Sequence, residues 1–385
     1  MRWFGFGFNA FGQIYVHEKL IKGKECSDAA QDVKVIIPTE LAGRDCCLKR
    51  DSQIRASWSR RASLHLDGDS CVCLAGFGAA SEPCVISLKG SRGCKDAFIS
   101  ESYLTLALPD RIESWDLQKE EKTPSWSMEI KAEGSEPPLN LPLVPGGHIT
   151  PKAPFYHSLS PHLKAKSLAL GAEHAILLSA SGAVYTWGLG SHGQLGHGGL
   201  TSEEEPRAVE ALWGMPMSCV ATGGWHSACI SDGGDLYVWG WNESGQLGLP
   251  SRGLRKEQQQ ERSEQAGAPC QDAFHAAEPQ AGEKHEEVFI SIQAFPALLD
   301  ITPSCEIRTV SCGSRHTAAV TTTGDLYTWG WGDYGQLGQQ TLISSDEPQH
   351  VEFFMEQQMR VVDVVCGPWN TFAAVVEEEV VPKTL

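Results

Sequence analysis

Three histidines, His174, His226 and His316, recur at one position of three similar segments, and such a set invites a metal-site reading. A metal needs ligands that converge within about 2 Å of one point. Equivalent positions of a repeated unit instead point the same way, each relative to its own sheet, and form a wide circle. Asn370 fills the same slot in a fourth segment and Ser59 in a fifth. All of these side chains hydrogen-bond, so the slot reads as one that ties a loop to a neighbouring backbone group. No metal and no other cofactor is expected. The thirteen cysteines are scattered, odd in number and without a CxxC pair, which reads as reduced structural thiols. Cys312 and Cys366 stand where Leu170 and Thr222 stand in sister segments, as small core residues do. There is no G-x-S-x-G, P-loop or zinc signature, and Gly5-Phe6-Gly7-Phe8 lacks the surroundings of a dinucleotide loop. The chain is therefore not expected to be an enzyme.

The elements that carry these residues are repeated. Residues 185–196 read YTWGLGSHGQLG, 237–248 read YVWGWNESGQLG and 327–338 read YTWGWGDYGQLG. Ahead of them lie LGAEHAILLSASG from Leu170, TGGWHSACISDGG from Thr222 and CGSRHTAAVTTTG from Cys312. Ser181-Gly182, Asp232-Gly233-Gly234 and Thr323-Gly324-Asp325 are turn residues between short β-type runs, so each unit contains a hairpin. A hairpin is marginal alone, and small similar sheets must pack on one another. An all-β, radial β-propeller meets that need. In it Trp187, Trp239 and Trp329 pack blades, and Gly193, Gly245 and Gly335 allow tight turns.

These segments resemble the repeat of the regulator of chromosome condensation family, with its G-x-x-H, Y-x-W-G and G-Q-L-G blocks. The resemblance is strong over 168–250 and 308–376 and degenerate over about the first 120 residues. Phe4-Gly5-Phe6-Gly7-Phe8-Asn9 through Ile14 matches the second half of a unit without its first. Val365 through Val375 is a first half without its second, so the two termini are expected to complete one blade and close the ring. Residues 54–77 and 97–117 read as two worn units, the first with Ser57-Trp58-Ser59 in place of G-x-x-H. Six units are recognisable. A seventh, the usual family number, fits within 118–167, where no strands are legible. The whole chain, 1–385, reads as one propeller domain with two insertions, a polar loop at 118–162 and a disordered loop at 251–287.

The net charge of −17 argues against strong direct DNA binding, which rests on phosphate neutralisation, and favours a basic protein partner. No run of about twenty apolar residues could cross a membrane. Met1-Arg2-Trp3-Phe4 lacks a cleavage pattern, so no targeting segment is expected. The informative residues are those that vary where the scaffold is fixed: Glu173, Trp225, Arg315 and Trp369 immediately before the His slot, with Trp58 in the worn copy. They are the candidate partner-binding residues. The resemblance implies a nuclear protein, present also in the cytoplasm, that acts as a scaffold for chromatin-associated or histone partners. Nucleotide exchange on a small GTPase of the Ran type is the alternative, and fold alone carries little weight for it. Light sensing, known in plant relatives with Gly-Trp-Arg-His-Thr loops, ranks last. The loops here read GGWHS, GSRHT and GPWNT, with no Trp-Arg pair before the slot.

Overall fold

Ser181-Gly182 closes a hairpin in which the Ser179 amide donates to the Ala183 carbonyl at 2.9 Å. This joins β15 (His174–Ser179) to β16 (Val184–Gly188), and β14 (Ala165–Leu170) and β17 (Glu203–Ala208) complete an antiparallel sheet. The next two repeats give β18 to β21 (Met217–Thr222, His226–Ser231, Leu236–Trp241, Ile292–Leu299) and β22 to β25 (Ile307–Cys312, His316–Thr321, Leu326–Gly330, Ser345–His350). Every residue of β15, β19 and β23 is buried, because the second strand of each sheet is covered on both faces by neighbouring sheets. One cluster, for example, joins Ala228, Ile230 and Val238 of one sheet to Val310, Ala319 and Trp329 of the next.

The computed structural model describes residues 1–15, 33–41, 52–66, 70–78, 86–87, 89–119, 123–130, 140–256, 288–301 and 304–377. Among them are seven sheets, six of four strands and one of three. The first worn unit is β3 to β6 (Ser52–Ala56, Arg60–His65, Cys71–Gly76, Ile86–Ser87). The second is β7 to β10 (Asp96–Ile99, Tyr103–Ala107, Arg111–Asp116, Trp126–Glu129). The three-stranded sheet is β11 to β13 (Leu143–Val144, Gly147–Ile149, Tyr156–Ser158). We number these blades 1 to 7 in chain order, the last being the closing one. The innermost strands touch around the axis, β26 (Met359–Cys366) against β3 and β11 against β14 included.

Residues 118–162, expected to be a polar loop, thus hold β10 and the whole of blade 3. Their strands are only two to four residues long. Such short runs cannot display a period, although Val144 and Ile149 are buried. Of the expected disordered loop 251–287, residues 257–287 lie outside the described residues. Its beginning is fastened down: Ser251 Oγ donates to the Glu243 carbonyl at 2.9 Å, and its amide to Asp346 Oδ2 at 2.8 Å.

Blade 7 is built from both ends of the chain. β27 (Asn370–Glu377) lies between β26 and β1 (Arg2–Phe8), and β2 (Lys34–Glu40) is outermost. Phe6 and Phe372 are fully buried in this blade. Arg2 bridges Glu40 at 2.6 Å and Glu377 at 3.0 Å, but all three side chains are well exposed. Apolar burial therefore dominates the closure, since exposed pairs contribute roughly 0–1 kcal/mol.

The outer strands of blades 4 to 7 each carry a proline three residues after the one paired with the third-strand glycine: Pro206, Pro296, Pro348 and Pro38. A missing N–H on the free edge blunts sheet-to-sheet pairing between molecules.

Removal of Met1–Asn9, or of everything after Val365, strips blade 7 of a buried strand. Either truncation is expected to abolish recovery of soluble protein in expression trials. Recovery of both as stable monomers by gel filtration would refute closure as the source of stability.

Candidate protein-binding face

The repeated histidines join blades. His174 Nε2 lies 2.9 Å from Ser227 Oγ, His226 Nε2 2.9 Å from Thr317 Oγ1, and His316 Nε2 2.9 Å from Thr371 Oγ1. Each hydroxyl belongs to the next blade and donates its proton back to the first blade, to the carbonyl of Gln194, Gln246 or Gln336 respectively. Since the hydroxyl proton is used there, the imidazole must donate through Nε2–H. The partner is thus a neighbouring blade's hydroxyl, where the sequence suggested a backbone group. Burial holds the His174 ring down to about 4 and the His226 and His316 rings to about 3, all neutral at physiological pH. The same glutamine carbonyls accept from Trp239 Nε1 at 2.9 Å and Trp329 Nε1 at 3.0 Å. Both rings are fully buried, whereas Trp187 is partly exposed and packs against His148 at 5.8 Å. Gly193, Gly245 and Gly335 sit at φ 70°, 73° and 83°, and a Cβ on Gly245 would lie 2.7 Å from the Asp346 Cα of the next blade.

Asn370 holds the slot in blade 7, paired with Gly7 as His174 pairs with Gly188. In blade 1 the register pairs Arg60 with Gly76, so Arg60 and not Ser59 occupies the slot. Ser59 is then the counterpart of Glu173, and Trp58 stands one residue earlier than the sequence reading placed it. Without a Gly or His anchor in that loop, the alignment slipped by one.

The loops between first and second strands, and those between third and fourth, emerge on the same face. Neighbouring loops are tied there, the Gly224 amide to the Gly313 carbonyl at 3.2 Å and the Ser314 amide to the Pro368 carbonyl at 2.9 Å. Trp225, partly exposed, meets Trp241 edge-on at 5.7 Å and reaches Glu173 Oε2 through Nε1 at 3.4 Å. The Arg315 guanidinium lies over Trp241 at 4.9 Å. Trp369 packs against Trp331 at 5.1 Å and Tyr334 at 6.1 Å. Tyr334 continues to Phe8 at 4.9 Å, and Phe8 stacks on Trp58 at 6.2 Å. Phe11 then links Trp58 to Phe77, itself beneath the Arg60 guanidinium at 5.2 Å.

The five residues named from the sequence therefore share one face, four of them in an aromatic and arginine arc over blades 5, 6, 7 and 1. Reading the loop before the slot missed half of that arc. Trp241, Trp331, Phe8 and Phe77 all directly follow the third-strand glycine, where blade 4 has Leu189. Their variation in type and bulk was the available signal.

Elsewhere, burial raises the thiols of Cys94 to about 11 and Cys366 to about 12, and pushes up those of Cys229 and Cys312. Such thiols are protonated and unreactive. Among the described residues, no group of three or more His, Cys, Asp or Glu is placed to hold a metal ion, and no helix is long and apolar enough to cross a membrane.

Seven radial sheets, closed by both termini and with one junction repeated between blades 4 and 5, 5 and 6, and 6 and 7, define a β-propeller. Models of the regulator of chromosome condensation (RCC1) repeat match residues 181–230, 233–271 and 323–374, and again 165–194, 218–246 and 307–336. RCC1 domain-containing protein 1 of Homo sapiens is 42% identical over 394 residues, covering 98% of this chain and 97% of that protein. The chain belongs to the RCC1 repeat family. The ultraviolet-B receptor UVR8 of Arabidopsis thaliana is 31% identical over 56% of this chain and 51% of its own length. The crystal structure of Prp20p from Saccharomyces cerevisiae shares the fold, with a TM-score of 0.67 at 15% identity over 98% of this chain and 91% of that one.

Two tests separate the scaffold from the face. Trp239→Ala should lower urea stability by about 3–5 kcal/mol, as buried aromatic truncations do, and Trp225→Ala by about 1 kcal/mol or less. Equal losses would make Trp225 a packing residue. The junction histidines carry folded-state values far below the unfolded value of about 6.5, so the unfolded chain binds more protons below that pH. Stability is then complete above about pH 6.5 and falls as the pH drops toward 4. Each histidine costs about 2 kcal/mol at pH 5. His226→Ala should lower stability at neutral pH and shallow the acid slope, read by denaturation at stepped pH; an unchanged slope would contradict the relay.

Proposed function

We propose that the chain is a non-catalytic protein-binding propeller of the nucleus and cytoplasm, whose aromatic face holds a basic, chromatin-associated partner such as a histone. The observation that carries this reading is the uneven distribution of aromatic residues over equivalent loops. Four consecutive blades bear Trp225, Trp241, Trp331, Trp369, Phe8 and Phe77, while blade 4 offers Glu173 and Leu189 at the same two positions. Blades 4, 5 and 6 make the same histidine relay whether Glu173, Trp225 or Arg315 precedes it, so packing at the junction gives no reason for that asymmetry. Aromatic and arginine side chains dominate interfaces when a partner buries them. The charge of −17 steers a basic protein toward the molecule.

Prp20p has binding properties to both Gsp1p and histones. That likeness supports a second reading, nucleotide exchange on a Ran-like small GTPase. The scaffold reading ranks first because the face offers stacked rings and arginines, the anchors of a binding surface. The UVR8 likeness spans about half of either chain and adds little weight to light sensing.

The test is capture of purified core histones by the intact protein and by Trp225→Ala and Trp369→Ala, beside thermal midpoints and a nucleotide-release assay on a Ran-like GTPase. Capture weakened roughly thirtyfold at an unchanged midpoint, corresponding to about 2 kcal/mol, is expected. Accelerated nucleotide release would favour the second reading. Unchanged capture by both variants would remove the face from the function.

A further inference from the structure

The outer wall carries a second exposed surface, which starts at the rim of the loop face, where Ile292 pairs with Trp241, and runs down the side of blade 5. The outer strands of blades 4, 5 and 6 share a register, Gly188 pairing with Glu203, Gly240 with Gln293 and Gly330 with Ser345. Counting from those pairs, Ile292, Phe295 and Leu298 of β21 replace Ser202, Glu205 and Ala208 of blade 4, and Ser344, Glu347 and His350 of blade 6. The three apolar side chains are 38%, 53% and 50% exposed. Phe295 lies over Gly198 of blade 4, whose amide donates to the Ala294 carbonyl at 2.9 Å, and Leu200 follows at 54% exposure. At the other end, the turn Glu210–Leu212 contacts β21, and the next residue, Trp213, is 65% exposed. Three exposed apolar side chains thus line one outer strand, where the strands of blades 4 and 6 carry serine, glutamate, histidine or alanine and that of blade 7 carries one, Ile37, at the position of Phe295. Stripes of that kind on a soluble protein mark contact sites.

Two features select the occupant. The wall beside the stripe is acidic on balance: Glu204 and Glu205 are exposed on the adjacent outer strand, the exposed Arg207 of that strand is bridged to Glu203, and Glu210 opens the turn that touches β21. Strand addition is disfavoured, because Pro296 lacks the central N–H and the β20–β21 register shifts between Val238 and Gly240. The distance from Ile292 to Leu298 is about 20 Å at 3.3 Å per residue, which matches three to four turns of helix. We propose that this wall of blade 5 docks an amphipathic helix of a partner protein, its apolar side on Phe295, Leu298 and Trp213 and its lysines or arginines against Glu204, Glu205 and Glu210.

The probe is a synthetic 15-residue helical peptide with leucines at i, i+3, i+4 and i+7 spacing and lysines elsewhere, beside a counterpart with glutamates for lysines. Binding to the full chain is measured by fluorescence anisotropy, with thermal midpoints taken for each variant. Phe295→Asp is the decisive variant because it adds a negative charge. General attraction of a cationic peptide would strengthen in it, whereas loss of an apolar anchor weakens binding. The expected result is at least a tenfold weaker Leu/Lys complex in Phe295→Asp, no change in Met355→Ser, an exposed apolar residue of the short helix Glu352–Glu356 packed on β26, and no complex with the Leu/Glu peptide. Where Asp lowers the midpoint, Phe295→Ser and Leu298→Ser carry the same comparison. Unchanged or tighter binding in the Phe295 variants would overturn the site, and equal binding of the Leu/Glu peptide would overturn its charge selectivity. Concentration-dependent self-association abolished by Phe295→Asp would assign the wall to a second copy of the chain and overturn the proposal of a separate partner.

Discussion

A neutral imidazole donating to a hydroxyl, which donates in turn to a glutamine carbonyl, is the interaction on which the ring depends. It is written three times, from His174 through Ser227 to Gln194, from His226 through Thr317 to Gln246, and from His316 through Thr371 to Gln336. Each relay starts in one blade, turns in the next and returns, so neither blade can shift without breaking two buried hydrogen bonds. Buried donors and acceptors are costly to leave unmade. The relay therefore fixes the angle between blades more firmly than apolar contact, which tolerates sliding. Trp239 and Trp329 add a second donor to the same carbonyls, placing a large buried ring and a directional bond at one junction.

This explains which parts of the fold were legible. The recognisable blocks are the residues of the relay and of the turns that present it, so blades that use it are plain in the sequence. Blade 1 joins its neighbour differently. Glu101 of blade 2 accepts from the Trp58 and Ser59 amides and from Ser59 Oγ, while Arg60 Nη1 donates to its carbonyl. The junction survives, but with different chemistry, and the motif disappears with the histidine. Blade 3 was invisible for a simpler reason: strands of two or three residues are shorter than any period that could announce them. Closure by the termini was legible because each end carries half of a strong unit.

The candidate face was half legible, and the division follows from the same junction. Glu173, Trp225, Arg315 and Trp369 precede a fixed slot, so their variety stands out against it. Trp241, Trp331 and Phe8 follow a glycine inside the strongest strand signature, where aromatic residues look like part of the scaffold. The structure separates the tryptophans by burial: Trp239 faces the next blade, and Trp241, two residues on, leaves the strand on the loop side with Trp225 and Arg315, whereas Phe8 stays buried under Trp58 and Tyr334 and supports the face from below. Trp58 reached the face by a different residue position from its supposed sisters, so a slipped alignment still pointed at the right loop.

A scaffold whose junctions are fully committed leaves its variable positions free of structural duty, and these positions fall into two groups. Loop residues on the strand-end face can change without touching the relay, which lies beneath them. Outer-strand residues are equally free, since the fourth strand has a neighbour on one side only. Against that background, departures from the local pattern carry meaning in proportion to how unfavourable they are. Exposed aromatic rings cost solubility, and apolar residues along an outer edge risk self-association. The chain retains proline in all four of the outer strands of blades 4 to 7, including the one that bears Ile292, Phe295 and Leu298. That combination guards against pairing of strand edges while leaving side chains available. It favours contact through side-chain packing at the wall of blade 5, as the stacked rings do on the loop face.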